Sequence, residues 1–179
     1  MTFSYQPYST RYIGLFENMK NNILKLSDRK LDIEHIGSTA IKGLGGKGII
    51  DILIGIKNWK EAVDTIKILK KLGFKHFHKI ENHCLFASTQ RFSEEGDFHV
   101  HIGRKSTKQY ANMIAFRDYL RHHPKEVRRY AQIKKASFEK CKHDRKLYKK
   151  LKNNYFLALD LKKQQKETPA LAGIPIKLL

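Results

Sequence analysis

Eight consecutive residues, Ile49-Ile50-Asp51-Ile52-Leu53-Ile54-Gly55-Ile56, constrain this chain more than any other stretch. A run this short, this apolar and this rich in β-branched side chains reads as a strand. Both of its alternating faces are apolar, which suits a strand covered on both sides. One carboxylate, Asp51, is carried into that interior. An ionised carboxylate buried without compensation is costly, so Asp51 calls for a cation or a hydrogen-bond network.

The surrounding pattern places this strand in a mixed architecture. Ile13, Phe16, Met19, Ile23 and Leu26 recur at helical spacing and predict a helix over residues 10–26, with Ser9 or Thr10 placed to cap it. Residues 33–36 predict a short strand, and residues 61–72 a helix closed by Gly73. Residues 74–79 and 83–88 predict a hairpin, 91–96 a polar loop and 97–102 a further strand. Beyond Gly103 the apolar period changes from that of strands to that of helices. One helix is expected over 106–122, a second from Pro124 to about 142, and a third over 144–165. The expected class is α+β: a mixed β-sheet flanked by helices, with a C-terminal helical portion. Residues 1–105 form the expected core, 106–166 a basic helical portion packed on it within one compact domain, and 167–179 a tail.

Charge narrows the partners. The formal net charge is +19, and it is uneven: residues 104–166 hold 20 Lys and Arg against five acids, whereas residues 1–103 hold 15 against 11. A positive field attracts phosphates, whether on a nucleotide, a polynucleotide or a membrane surface; scattered lysines also simply solubilise a helix. Arginines 104, 117 and 121 close to a cleft would favour a small phosphate ligand. A continuous stripe along the last helices would favour a nucleic acid. No run of about 18 apolar residues exists, so no membrane span is expected. The N-terminus lacks a secretory pattern, and Cys84 and Cys141 lack metal-type spacing, which suits a reducing cytoplasm.

Two segments carry chemistry. Gly37, Ser38 and Thr39 follow the first short strand, where backbone N–H groups and hydroxyls suit a phosphate. Lys47, just before the Asp51 strand, is placed to neutralise it. Asp51 itself is a candidate metal ligand or catalytic group. Two residues on, position 53 is Leu, so the second acid of two-metal phosphoryl transfer is missing there. The counterweight is Asp97, His99 and His101, which alternate along one strand and so project to one side. Two imidazoles and a carboxylate suit Zn, Mn, Fe or Ni better than Mg, and Asp97 is a further candidate ligand or base. His35 and His83 lie in or beside predicted strands and could join them. No nucleophile elbow, Walker-type loop, Cys-His zinc spacing or RNA-recognition aromatic signature is present.

In their order these pieces resemble the GrpB family of the nucleotidyltransferase superfamily. The resemblance rests on QPYSTRY, EHIGSTAIKGLGGKGIIDILIGI, FHVHIG, AFRDYLRHHP and two Tyr-Lys pairs, Tyr130–Lys134 and Tyr148–Lys152, and spans roughly residues 5–162. It implies a compact mixed sheet flanked by helices, with a C-terminal helical portion and a nucleotide-type cleft; with the residues above, the expected ligand is a nucleotide or phosphorylated small molecule with a divalent metal (Mg, Mn or Zn). It also implies an Asp-x-Asp or Asp-x-Glu pair, from which this chain departs at Leu53. A proline is common where Gly48 stands.

Overall fold

The computed structural model describes residues 5–80, 84–89, 97–142, 144, 146–148 and 150–151. His83, the loop at 91–96, most of the third C-terminal helix and the tail lie outside them. Five strands form one mixed sheet in the order β1-β2-β5-β4-β3. The strands are β1 (Asp32–Ile36), β2 (Ile49–Ile56), β3 (Phe74–Ile80), β4 (Cys84–Thr89) and β5 (Asp97–Arg104). Helix α1 (Arg11–Lys25) precedes the sheet, α2 (Trp59–Lys71) joins β2 to β3, and α3 (Lys108–His122) and α4 (Pro124–Cys141) follow β5.

The apolar run settles where it should. β2 lies between β1, antiparallel, and β5, parallel, and Ile50, Ile52, Ile54 and Ile56 are fully buried. These isoleucines share one face with Phe98, Val100 and Ile102 of β5, and α1 and α2 cover that face. α1 contributes Tyr12, Phe16, Met19 and Ile23. Ile13, expected in the core, is 52% exposed, because the stripe through Tyr12, Phe16 and Met19 leaves it about a quarter-turn outside. Leu26 is also exposed. The Ser9 hydroxyl accepts from Arg11 N at 3.3 Å, so the start of α1 is served by Ser9 rather than Thr10.

α2 begins two residues before its expected start. Asn58 Oδ1 accepts from Glu61 N at 3.2 Å, while Glu61 accepts from Lys57 N at 2.8 Å, a reciprocal lock on the first turn. β5 runs two residues further than expected, to Arg104, because its whole length pairs with β2. α3 covers the other face of the sheet, where Tyr110, Met113 and Ile114 pack on Ile36 and Leu53. α4 packs beside it, with its Val127 and Tyr130 joining Leu120 of α3 over Ile41 and Leu44 of the glycine-rich segment. No helix among the described residues is long and apolar enough to cross a membrane.

Candidate functional site

Strand parity assembles the site. Asp51 of β2 stands opposite His99 of β5, and Leu53 opposite His101. Residues two apart on a strand share a face, so Asp51, His99 and His101 project from the side covered by α3. His99 Nδ1 and His101 Nε2 lie 3.6 and 3.7 Å from the same carboxylate oxygen, Asp51 Oδ1. These distances exceed an ordinary hydrogen bond. The three side chains remain 25%, 33% and 17% exposed, so the cluster is open to solvent on one side. Burial pushes the Asp51 carboxyl upward. The imidazoles of His101 and His99 more than reverse that push and hold it well below the usual carboxylate range. Asp51 is therefore an anion at neutral pH.

The other carboxylate oxygen backs onto the turn. A Cβ at position 37 would sit 2.2 Å from Asp51 Oδ2, and Gly37 has φ +71°. Only glycine meets both conditions. Ser38–Ala40 then form a single 3₁₀ turn, which carries the Ser38 hydroxyl to Gly46. A Cβ at position 46 would meet Ser38 Oγ at 2.7 Å and Lys134 Nζ at 2.8 Å. Three groups thus converge on one corner: a serine hydroxyl, a glycine backbone and an ammonium. Lys134 reaches there from α4, is 5% exposed, and lies over the Tyr130 ring at 5.5 Å.

Sequence reasoning named Lys134 only within the Tyr130–Lys134 pair and gave it no role at the site. The signal was its spacing: Val127, Tyr130, Lys134, Ser137 and Cys141 form one buried helical stripe, and a lysine on such a stripe points inward.

The other candidates divide. Asp97 lies on the site face of β5, two residues before His99, and is half-buried. Lys47 is half-buried beside Gly46, with Nζ over the Tyr148 ring at 5.3 Å. Thr39 is buried, and its hydroxyl donates to Ile49 O at 3.1 Å. With that proton committed, His35 Nε2 donates to Thr39 Oγ1 across 3.1 Å. His35 does not join the site. It pairs with Ile52, faces the opposite side of the sheet, and stacks on Phe16 with centroids 4.5 Å apart. Burial lowers its pKa to about 4, Asp51 opposing and Arg121 and Arg117 assisting, so it is neutral at pH 7.

Each of the three arginines is engaged by groups of the protein itself. Arg104 is at the far end of β5, over the Trp59 ring at 5.6 Å. Arg117 is buried and donates to Glu34 at 2.5 Å, Asp118 at 2.7 Å and His35 O at 3.1 Å. Arg121 donates to Ala40 O at 3.1 Å. Arg117 and Arg121 therefore hold β1 and the end of the turn in place. Among the described residues no group of three or more His, Cys, Asp or Glu is arranged to hold a metal ion as it stands.

Comparison with known proteins gives the family and the fold. The family described as "GrpB protein" matches residues 3–161. A UPF0157 protein of Streptomyces coelicolor is 28% identical over 152 residues, covering 85% of this chain and 79% of that one. The glutamate-rich protein GrpB of Alkalihalophilus pseudofirmus is 29% identical over 153 residues, covering 83% and 88%. Among solved structures, the conserved protein GrpB from Enterococcus faecalis superposes with a TM-score of 0.70 at 20% identity, over 86% of this chain and 99% of that one. A chain of the GLD-2/RNP-8 complex gives 0.61 at 12% identity, over 97% and 71%. The Cid1 poly(U) polymerase bound to MgATP gives 0.51 at 14% identity, over 72% and 45%. The fold is nucleotidyltransferase-like.

Proposed function

This chain belongs to the GrpB family, and we propose that it is a cytoplasmic protein that binds a nucleotide or other phosphorylated small molecule together with a divalent cation, on the face shared by the Ser38–Gly46 corner and the Asp51–His99–His101 cluster. The reaction such a site serves is transfer of a nucleotidyl or phosphoryl group. The observation that carries this reading is the two-sided use of Asp51. One oxygen backs onto the phosphate-type turn and the other faces two imidazoles.

Each group has a distinct part. Backbone N–H groups at Gly37 and Ser38, with the Ser38 hydroxyl, suit a phosphate oxygen. Lys134 supplies the positive charge at the same corner, and its burial makes that charge stronger than a solvated lysine's. Lys47 adds charge from the adjoining loop. Asp51, His99 and His101 would hold the cation, with Asp97 as a further ligand or base. The donor types suit a cation, but the side chains would have to close on it: ligands at about 2.1 Å on a tetrahedral ion stand about 3.4 Å apart, a few tenths of an ångström less than the two separations from Asp51. A cation there supplies charge neutralisation at the transferring phosphate.

One position argues for a single cation. The second acid that a two-cation site requires would occupy position 53, where Leu53 is fully buried under Tyr110. The MgATP in the Cid1 structure supports the choice of ligand, and the donor set here favours Mn or Zn as the ion.

Calorimetric titration of each NTP in the presence of Mg, Mn or Zn tests the reading. Binding that needs the cation, and that falls at least tenfold in both Asp51→Asn and Lys134→Met, is the expected result. No binding with any ion, or binding indifferent to both substitutions, ends it.

A further inference from the structure

α4 carries two different surfaces. Its inner stripe delivers Lys134 to the turn. Its outer face presents Lys125, Arg128, Arg129, Lys135 and Lys140, all exposed. Between Lys125 and Lys140 the other exposed positions are Gln132, Ala136 and Glu139, so one acid faces five cations. Several cations elsewhere are matched, among them Arg29 with Glu61, Lys105 with Asp32, Arg117 with Glu34 and Arg121 with Asp118. Among the described residues none of the five outer cations of α4 has an ion-pair partner. Like charges one turn apart, such as Lys125 and Arg129, repel and cost the isolated helix stability. A polyanion laid along the helix removes that repulsion.

We propose that the outer face of α4 is a docking ridge for the phosphate backbone of a nucleic acid. Fifteen residues separate Lys125 from Lys140, about 22 Å along the helix, which matches about six nucleotides of one strand. The two arginines add planar forked donors suited to phosphate oxygens. A bilayer is the poorer fit. A helix that lies on a membrane inserts an apolar face, and the apolar stripe of α4 is buried in the protein. The outer face offers nothing more apolar than Ala136. This inference stands independently of the nucleotide site, because Lys134 and the ridge occupy opposite sides of the helix.

The test titrates a fluorescent 20-nucleotide single-stranded RNA with the full chain across 50–300 mM KCl. Four to five phosphate contacts give a slope of log K against log salt of about −3. Replacing Arg128, Arg129 and Lys135 together by Gln makes that slope shallower by about 2 and weakens binding on the order of 10- to 100-fold at the lowest salt. A charge-matched control, Lys60→Gln with Lys67→Gln and Lys71→Gln on α2, changes binding less than threefold. Circular dichroism and affinity for manganese ATP stay unchanged in both variants, which separates this result from any failure of the nucleotide site. The proposal is overturned by equal losses in the two triple variants, by salt-independent RNA binding, or by binding to phosphatidylserine vesicles without binding to RNA.

Discussion

The two faces of the β2–β5 seam are built from the same two strands and differ in every chemical respect. On one face Ile50, Ile52, Phe98 and Val100 are buried with α1 and α2 over them. On the other, Asp51, His99 and His101 stand partly open, and α3 seals Leu53. Histidines show the contrast most directly. His35 sits on the apolar face, stacked on Phe16 and neutral; His99 and His101 sit on the other face, turned toward an anion. Parity along a strand, more than residue type, decided which imidazoles can meet a ligand.

The largest effect comes from placing an acid on each face in turn. Ile52→Asp buries a carboxylate where no cation can reach and costs at least about 5 kcal/mol. Leu53→Asp lands opposite His101, on the face that already holds Asp51, and costs about 3 kcal/mol. Mn or Zn restores part of the loss in Leu53→Asp and none in Ile52→Asp. Urea midpoints with and without metal measure both. Equal losses, unmoved by metal, would show that the two faces are not chemically distinct.

The next effect belongs to the turn behind Asp51. Gly37→Ala introduces a methyl 2.2 Å from Asp51 Oδ2 at a φ of +71°. It costs roughly 3 kcal/mol of stability. It also displaces the carboxylate, so cation-dependent nucleotide binding is lost with it. Stability lost at unchanged affinity would mean that the turn and the carboxylate are not coupled.

Acid titration separates the faces by pH. His35 has a folded pKa of about 4 against 6.5 unfolded, so the unfolded chain binds the extra proton between those values. Its contribution is complete above pH 6.5 and is lost as pH falls toward 4, by about 3 kcal/mol in all. Asp51 acts in a lower window. Its depressed folded pKa stabilises the fold at and above pH 4 or so, and that contribution vanishes under stronger acid. His35→Gln flattens the stability profile between pH 6.5 and 4, whereas Asp51→Asn, which removes the charge that opposes the His35 shift, does not flatten it. A profile in that interval insensitive to His35→Gln would mean that another group governs it.

What the sequence disclosed and what it hid follow from the range of the interactions. β2 was legible to the residue, because its eight positions report their own burial. The alternation of Asp97, His99 and His101 was legible for the same reason, as was the glycine-serine bend ahead of Asp51. The destinations of Arg117 and Arg121 were not. Arg117 meets Glu34 from 83 positions away and Arg121 meets the Ala40 carbonyl from 81, and no local pattern encodes such partners. His35 was misplaced as a possible companion of the site, because a short strand of five residues gives little parity to read. Lys134 was named in the Tyr130–Lys134 pair, but its role was not read, because an inward lysine among outward ones differs only in helical phase.

The smallest effect is a control on the covering of the apolar face. Gly14 lies within α1, and a Cβ built there meets nothing within 4 Å. Gly14→Ala therefore adds helix propensity without a clash and gains about 0.5–1 kcal/mol. The same chemical change thus has opposite signs at positions 14 and 37. At 14 the glycine costs backbone entropy and provides no contact in return. At 37 it makes room for the carboxylate on which the site depends. If Gly14→Ala destabilised the chain as Gly37→Ala does, the loss at 37 would reflect a general intolerance of added methyl groups rather than the geometry of Asp51.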